Sequence, residues 1–199
     1  MSSQLPAKSE RNTAGQAAPL PLRPVFTIGH STRPIAEFLR LLGAHGVETL
    51  VDVRTVPRSR YNPQFEGDAL AASLAEAGIG YRHEAALGGL RRPAHDSINT
   101  AWRNSSFRGF ADYMQSAAFE AALTATAAFG QEQQVALMCA EGNPARCHRS
   151  LIADALIARG MPCAEITSAL RTRPHRMTPF ARVEGGRVTY PAESDAATS

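Results

Sequence analysis

The feature that most constrains this chain is a repeated switch between two hydrophobic patterns. Short continuous apolar runs alternate with segments whose apolar residues recur at helical spacing. The runs are VFTIG (25–29), ETLVDVR (48–54), IGYRHE (79–84), QVALMCA (134–140) and PCAEITS (162–168). Between them, PIAEFLRLLGAHG places Ile35, Phe38, Leu39 and Leu42 on one helical face, with Pro34 in a first turn and Thr32 as a candidate cap. DALAASLAEAG is a modest helix ending at Gly78, and 109–130 reads as helical, with a break near Ser116 as an option. PARCHRSLIADALIARG reads as one helix with Asn143 as cap, Pro144 at its first position and Gly160 as its stop. Strands exchanging with helices predict an α/β fold: a single domain with a mainly parallel sheet and helices on both faces, a Rossmann-like three-layer architecture.

The chain of 199 residues is long enough for one domain with a buried core. We expect that domain over 24–184, after a polar, Pro-containing, disordered arm at 1–23. A C-terminal hairpin and tail is expected over 185–199, turning at Gly185-Gly186. The arm lacks the apolar core of a secretory signal, and no apolar run is long enough for a membrane span. Three cysteines do not make a disulfide framework, so a cytoplasmic location and no membrane partner are expected.

In a parallel sheet the ligand crevice lies beyond the carboxyl ends of the strands. The ends here are polar: GHST, DVR, RHE and CAEGNPARCHR. Asn143-Pro144 starts a helix whose free N–H groups, aided by Arg146 and Arg149, suit an anion. Glu141 at the strand tip suits a general base or a nucleophile, with a cap or a salt bridge as its structural alternative. His30 or His148 would assist it, and Gly29 would let a ligand approach the backbone beside Ser31. Asp52 and Arg54 share one side of a strand, where they form either an ion pair or a ligand clamp. Arg58 belongs to a basic loop with Tyr61 and Phe65, residue types that can stack a base.

Cys147 continues into Leu151 and Ala155 at helical spacing, which favours core packing. Cys139 and Arg146 have six residues between them, one more than a cysteine-phosphatase cradle uses. The spacing of Cys139, Cys147 and His148 matches no recognisable zinc pattern, and no dinucleotide Gly fingerprint follows a strand. No metal and no cofactor is therefore expected.

TIGHS, DVR followed by PRSR, LGG, CAE and CHR together resemble the family called domain of unknown function 488, over Phe26 to about Ser168. The matching residues are Gly29, His30, Ser31, Asp52, Arg54, Pro57, Gly88, Gly89, Cys139, Glu141, Cys147, His148 and Arg149. The resemblance implies a single α/β domain and a mostly bacterial distribution, and no reaction. The residues themselves lead to an expected hydrolase or group transferase acting on a small phosphorylated or nucleotide-like substrate. A nucleic-acid-binding accessory protein, suggested by a pI near 9.0 and arginine-rich loops, is the alternative, and a thiol or redox protein is a third.

Overall fold

The computed structural model describes residues 22–192. Six strands form one sheet: β1 (Val25–Gly29), β2 (Thr49–Asp52), β3 (Gly80–His83), β4 (Val135–Cys139), β5 (Cys163–Ser168) and β6 (Arg171–Pro174). Their order is β3-β2-β4-β1-β5-β6, parallel throughout except β6, which runs antiparallel to β5. The helices are α1 (Ile35–Ala44), α2 (Gly67–Glu76), α3 (Ser105–Tyr113), α4 (Ala117–Glu132) and α5 (Arg149–Ile157).

Strand alternation sorts the apolar side chains into two cores. Ile28, Leu50, Ala136 and Met138 face Phe38, Leu41 and Leu42 of α1 and Leu70 and Leu74 of α2. Val25, Val51, Val135 and Leu137 face Phe110 of α3, Phe119 and Leu123 of α4 and Leu151, Ile152 and Leu156 of α5. The expected three-layer α/β architecture is the observed one. Adjacent strands β1 and β4 send their following helices to opposite faces of the sheet. This is the topological switch at which such sheets form their ligand crevice.

Several local expectations change. Thr32 does not cap α1; Pro34 holds that position, and no side chain caps it. The division near Ser116 is real, since its hydroxyl accepts from Phe119 N–H at 3.3 Å and starts α4. The segment expected as one helix from Pro144 is two pieces. A single 3-10 turn, Pro144–Arg146, is followed by an extended Cys147 (φ −130°, ψ 138°), and α5 begins only at Arg149. The basic run at 171–174, which showed no apolar pattern, is the edge strand β6. Arg173 there pairs with Glu165 across the ladder. All but the last two residues of the expected N-terminal arm, and residues 193–199 of the tail, lie outside the described residues. Among the described residues, no helix is long and apolar enough to cross a membrane.

The C-terminal hairpin pairs β7 (Arg182–Glu184) with β8 (Arg187–Thr189). Gly185 and Gly186 both take positive φ, 55° and 80°, as a tight primed turn demands. The hairpin is bound into the main core by Val188 and Tyr190. Asp154 of α5, wholly buried, accepts from Tyr190 O–H (2.9 Å), His175 Nε2 (2.7 Å) and Thr178 N–H (3.1 Å). Removing that carboxylate strands a buried hydroxyl and a backbone donor. Asp154→Ala should therefore lose about 3–5 kcal/mol in urea unfolding. A loss below about 1 kcal/mol would show that the hairpin is held by its other contacts without the carboxylate.

Candidate functional site

Cys139 closes β4 in register with Gly29 at the end of β1. The ladder continues beyond both strands, with His30 N–H donating to the Cys139 carbonyl (3.0 Å) and Ser31 N–H to that of Ala140 (2.9 Å). Ser31 adopts a left-handed φ of 51°, unusual for a residue with a side chain. The chain after β4 then folds back over β1, so closely that a Cβ on Gly29 would fall 2.0 Å from the Glu141 carbonyl oxygen. Only glycine fits there.

The loop is held from beneath by Arg149. Its guanidinium is fully buried and donates to the carbonyls of Glu141 and Gly142, the latter at 3.1 Å, with Glu165 3.8 Å away. Arg149 is therefore a structural cation rather than the free anion grip expected from the sequence. The backbone donors of the turn are also largely spoken for. Asn143 N–H binds Glu141 Oε1 (2.9 Å), and Ala145 N–H binds Asn143 Oδ1 (3.0 Å). Arg146 N–H and Cys147 N–H bind the carbonyls of Asn143 and Pro144, each at 3.0 Å. An anion at this turn would have to be held by side chains, and Asn143 serves as a cap.

Asp52 and Arg54 resolve as an ion pair. Both are buried, with Arg54 Nε 2.8 Å from Asp52 Oδ1 and Nη2 2.5 Å from Oδ2. Tyr81 O–H donates to the same carboxylate (2.9 Å), and Arg54 Nη1 donates to the Phe65 carbonyl (2.9 Å). Burial together with the adjacent Asp52 carboxylate pushes the Tyr81 hydroxyl above its usual range. Arg54 also reaches the cleft wall. His30 lies on the same face of the sheet, stacked on Phe65 with ring centroids 4.2 Å apart. Its Nδ1 donates to the Ser31 carbonyl (2.8 Å), and burial lowers the pKa of the ring below the ordinary imidazole value. Its Nε2 is buried without a partner. Phe65 is thus not free to stack a base, and Tyr61 stands exposed beside Arg60.

The other face of the same rim carries a cleft of about 330 Å³. Arg54, Arg58, Cys139, Glu141, Arg146 and His148 all line it, and Val56, Leu90 and Phe107 form an apolar wall. Gly29, His30, Ser31, Asp52, Asn143 and Arg149 do not line it. Arg58 and Arg146 are exposed, and neither has an ion-pair partner among the described residues. One oxygen of Glu141 is tied to Asn143 N–H, which fixes the carboxylate at the mouth.

At the floor, three groups whose spacing matches no zinc pattern come together. His148 Nδ1 lies 4.0 Å from Cys139 Sγ and 3.8 Å from Cys147 Sγ. His148 Nε2 is 3.0 Å from the Val53 carbonyl, which can only accept, so Nε2 carries the hydrogen and Nδ1 faces the sulfurs. The edge of Phe110 and the backbone of Gly89 confine the ring; a Cβ on Gly89 would come within 2.4 Å of Nδ1. The Cys147 thiol, hydrogen-bonded to Cys139, together with His148 and Glu141 N–H, draws Cys139 well below the ordinary thiol range, against the effect of burial. Cys147 moves the opposite way, because it keeps the shared proton and is buried. Cys147 is in the core, as expected, but not on the helix that was to carry it there. The cleft's Thr55, Gly89, Leu90 and Phe107 come from loops and α3, where no periodicity pointed to a site.

The Gly29 contact makes a sharp test. Gly29→Ala should destabilise the fold by about 1–3 kcal/mol, since a backbone carbonyl must move. Gly43→Ala, in α1, meets no atom within 4 Å and should stabilise by roughly 0.5–1 kcal/mol. Chemical denaturation of the two variants measures both, and equal effects would contradict the close approach at Gly29.

Comparison with known proteins bears on the whole of this architecture. No curated protein and no solved structure matches the chain. The family model described as Domain of unknown function DUF488 matches residues 34–156, a span that holds α1 to α4, all but the last residue of α5 and every residue lining the cleft, and the chain belongs to that family.

Proposed function

We propose that the chain is an enzyme, a hydrolase or group transferase, that takes a small phosphorylated or nucleotide-like substrate into the cleft beside Cys139. One observation carries the reading: two exposed arginines without counter-ions among the described residues, Arg58 and Arg146, share a single cleft with a tethered carboxylate, Glu141. Guanidinium forks suit the oxygens of a phosphate. Val56, Leu90 and Phe107 offer an apolar surface for a ring. Glu141 takes a proton from the attacking water or hydroxyl group and returns it to the leaving group. His148 is turned away from this task, because one ring nitrogen binds Val53 and the other faces the two sulfurs. His30 is buried on the far face.

A second reading has its own support: Cys139 lines the cleft with His148 Nδ1 4.0 Å from its sulfur, and its thiol is drawn below the ordinary range, which suits a thiol nucleophile. A substrate fragment trapped covalently on Cys139 in quenched protein would favour it over Glu141 chemistry.

A thermal-shift screen of nucleotides and sugar phosphates tests the primary reading. An anionic ligand should raise the wild-type Tm by several degrees at about a hundredfold excess over Kd. Arg58→Ala and Arg146→Ala should each abolish most of that rise. With a ligand found, Glu141→Gln should keep the shift and lose about 10²–10⁴-fold in turnover. If no anion stabilises the wild type, or Glu141→Gln turns over normally, the reading fails.

A further inference from the structure

We infer that Cys139, Cys147 and His148 form a zinc site whose fourth coordination position opens to the cleft. The ligand atoms, two sulfurs and the imidazole Nδ1, all lie within 4.8 Å of one another. The sulfur-to-nitrogen separations are 4.0 and 3.8 Å. Tetrahedral zinc, with bonds of about 2.3 Å to sulfur and 2.0 Å to nitrogen, needs separations of about 3.5 Å. Both sulfur-to-nitrogen separations exceed that geometry by only a few tenths of an ångström.

The surroundings are those of ligands already oriented. A metal-binding histidine characteristically donates its second ring N–H to a carbonyl or carboxylate, which fixes the tautomer and aims the free lone pair. His148 does this to Val53 while Nδ1 points at the sulfurs. The extended Cys147, which interrupts the expected helix, is what turns its sulfur back toward β4. Of the buried cations nearby, Arg54 is paired with Asp52, and Arg149 lies 3.8 Å from Glu165, a carboxylate it shares with Arg173. Two thiolates and an imidazole are soft and borderline donors, which select zinc over magnesium or calcium.

Three protein ligands with one open position is the catalytic form of a zinc site. This part of the inference rests on the function proposed above. Water at the open position loses a proton to Glu141, and the hydroxide forms a bond to the electrophilic centre of the substrate. The bond to the leaving group breaks, and the proton on Glu141 passes to that group.

The test uses the full chain, reduced and stripped of metal, titrated with zinc against a chromophoric chelator and separately with cobalt. About one equivalent of zinc should bind, and cobalt should give the intense visible bands of a tetrahedral site with a thiolate-to-metal band. Cys139→Ser and Cys147→Ser should each weaken binding by roughly a hundredfold or more. Cys163→Ser should leave it unchanged, because that buried thiol stands apart, pushed up to about 12 by burial and Asp154. Circular dichroism checks that the variants fold, and the wild-type cobalt spectrum stands even if they do not. Folded wild type that does not compete for zinc, a pale octahedral cobalt spectrum, or full affinity in folded Cys147→Ser would each overturn the site. Zinc uptake without stabilisation by any anion would leave the site standing and remove the proposed substrate class. Anion binding by a protein that ignores zinc would do the reverse.

Discussion

A single buried cation, Arg149, holds together the parts from which the site is made. It is the first residue of α5, and its guanidinium reaches back under the preceding loop to the carbonyls of Glu141 and Gly142. Those carbonyls lie over β1, where Gly29 leaves them room. Without the guanidinium they would be acceptors turned toward protein rather than water, a costly state. One side chain thus fixes the distance between the end of β4 and the start of α5. Cys139 and Glu141 stand on one side of that span, and Cys147 and His148 on the other. Glu165 on β5 supplies the counter-charge, so the loop is also tied to the next strand of the sheet.

The polar groups at this rim divide by sheet face, and the division follows from strand parity. Asp52 and His30 belong with the even-numbered side chains that face α1 and α2, and there they build rigid structure. The Asp52–Arg54 pair, Tyr81 and the stacked His30 and Phe65 fix the exit of β2. Cys139 belongs with Val135 and Leu137 on the face of α3, α4 and α5, and the groups with free capacity gather there. Arg54 spans the two, with its head on Asp52 and its body on the cleft wall. A buried pair of this kind contributes little net stability against an apolar substitute, but removing one partner is costly. We therefore read it as a device that fixes geometry, while Arg58 and Arg146 remain available.

What the sequence made legible is what local physics decides. The apolar runs found β1, β2 and β4 because strands buried on both faces leave a continuous mark, whereas the exposed edge strand β3 was legible only from its place in the alternation. Gly185-Gly186 marked the hairpin because both positions need positive φ. The break at Cys147 was hidden, because Asn-Pro followed by Ala-Arg starts a 3-10 turn as readily as an α-helix. That miss carried others with it. It placed Cys147 on a helical face, left the helix N-terminus free for an anion, and turned Arg149 outward. Edge strand β6 escaped notice because an exposed strand rich in arginine has no hydrophobic alternation to show. The cluster of Cys139, Cys147 and His148 was weighed as a metal set and put aside for a different reason. Ligand-spacing rules assume a short local loop, whereas here an intervening turn and a one-residue extension set the sulfur positions.

Local irregularities concentrate where β1 and β4 end. Ser31 holds a left-handed backbone there, and His30 Nε2 and Arg149 Nε are buried without partners. Gly29 admits no side chain, and Cys147 interrupts what would otherwise be a continuous helix. Each departure costs stability, and a fold under no other demand would favour a regular strand-to-helix turn with an apolar floor. The same departures have one shared geometric result: they bring the two sulfurs and Nδ1 together below a cleft whose mouth carries Glu141, Arg58 and Arg146. A turn built only to connect β4 to α5 would need none of them. The strain is therefore best understood as the cost of holding three soft donors in one place, at the switch point where the parallel sheet already opens a crevice.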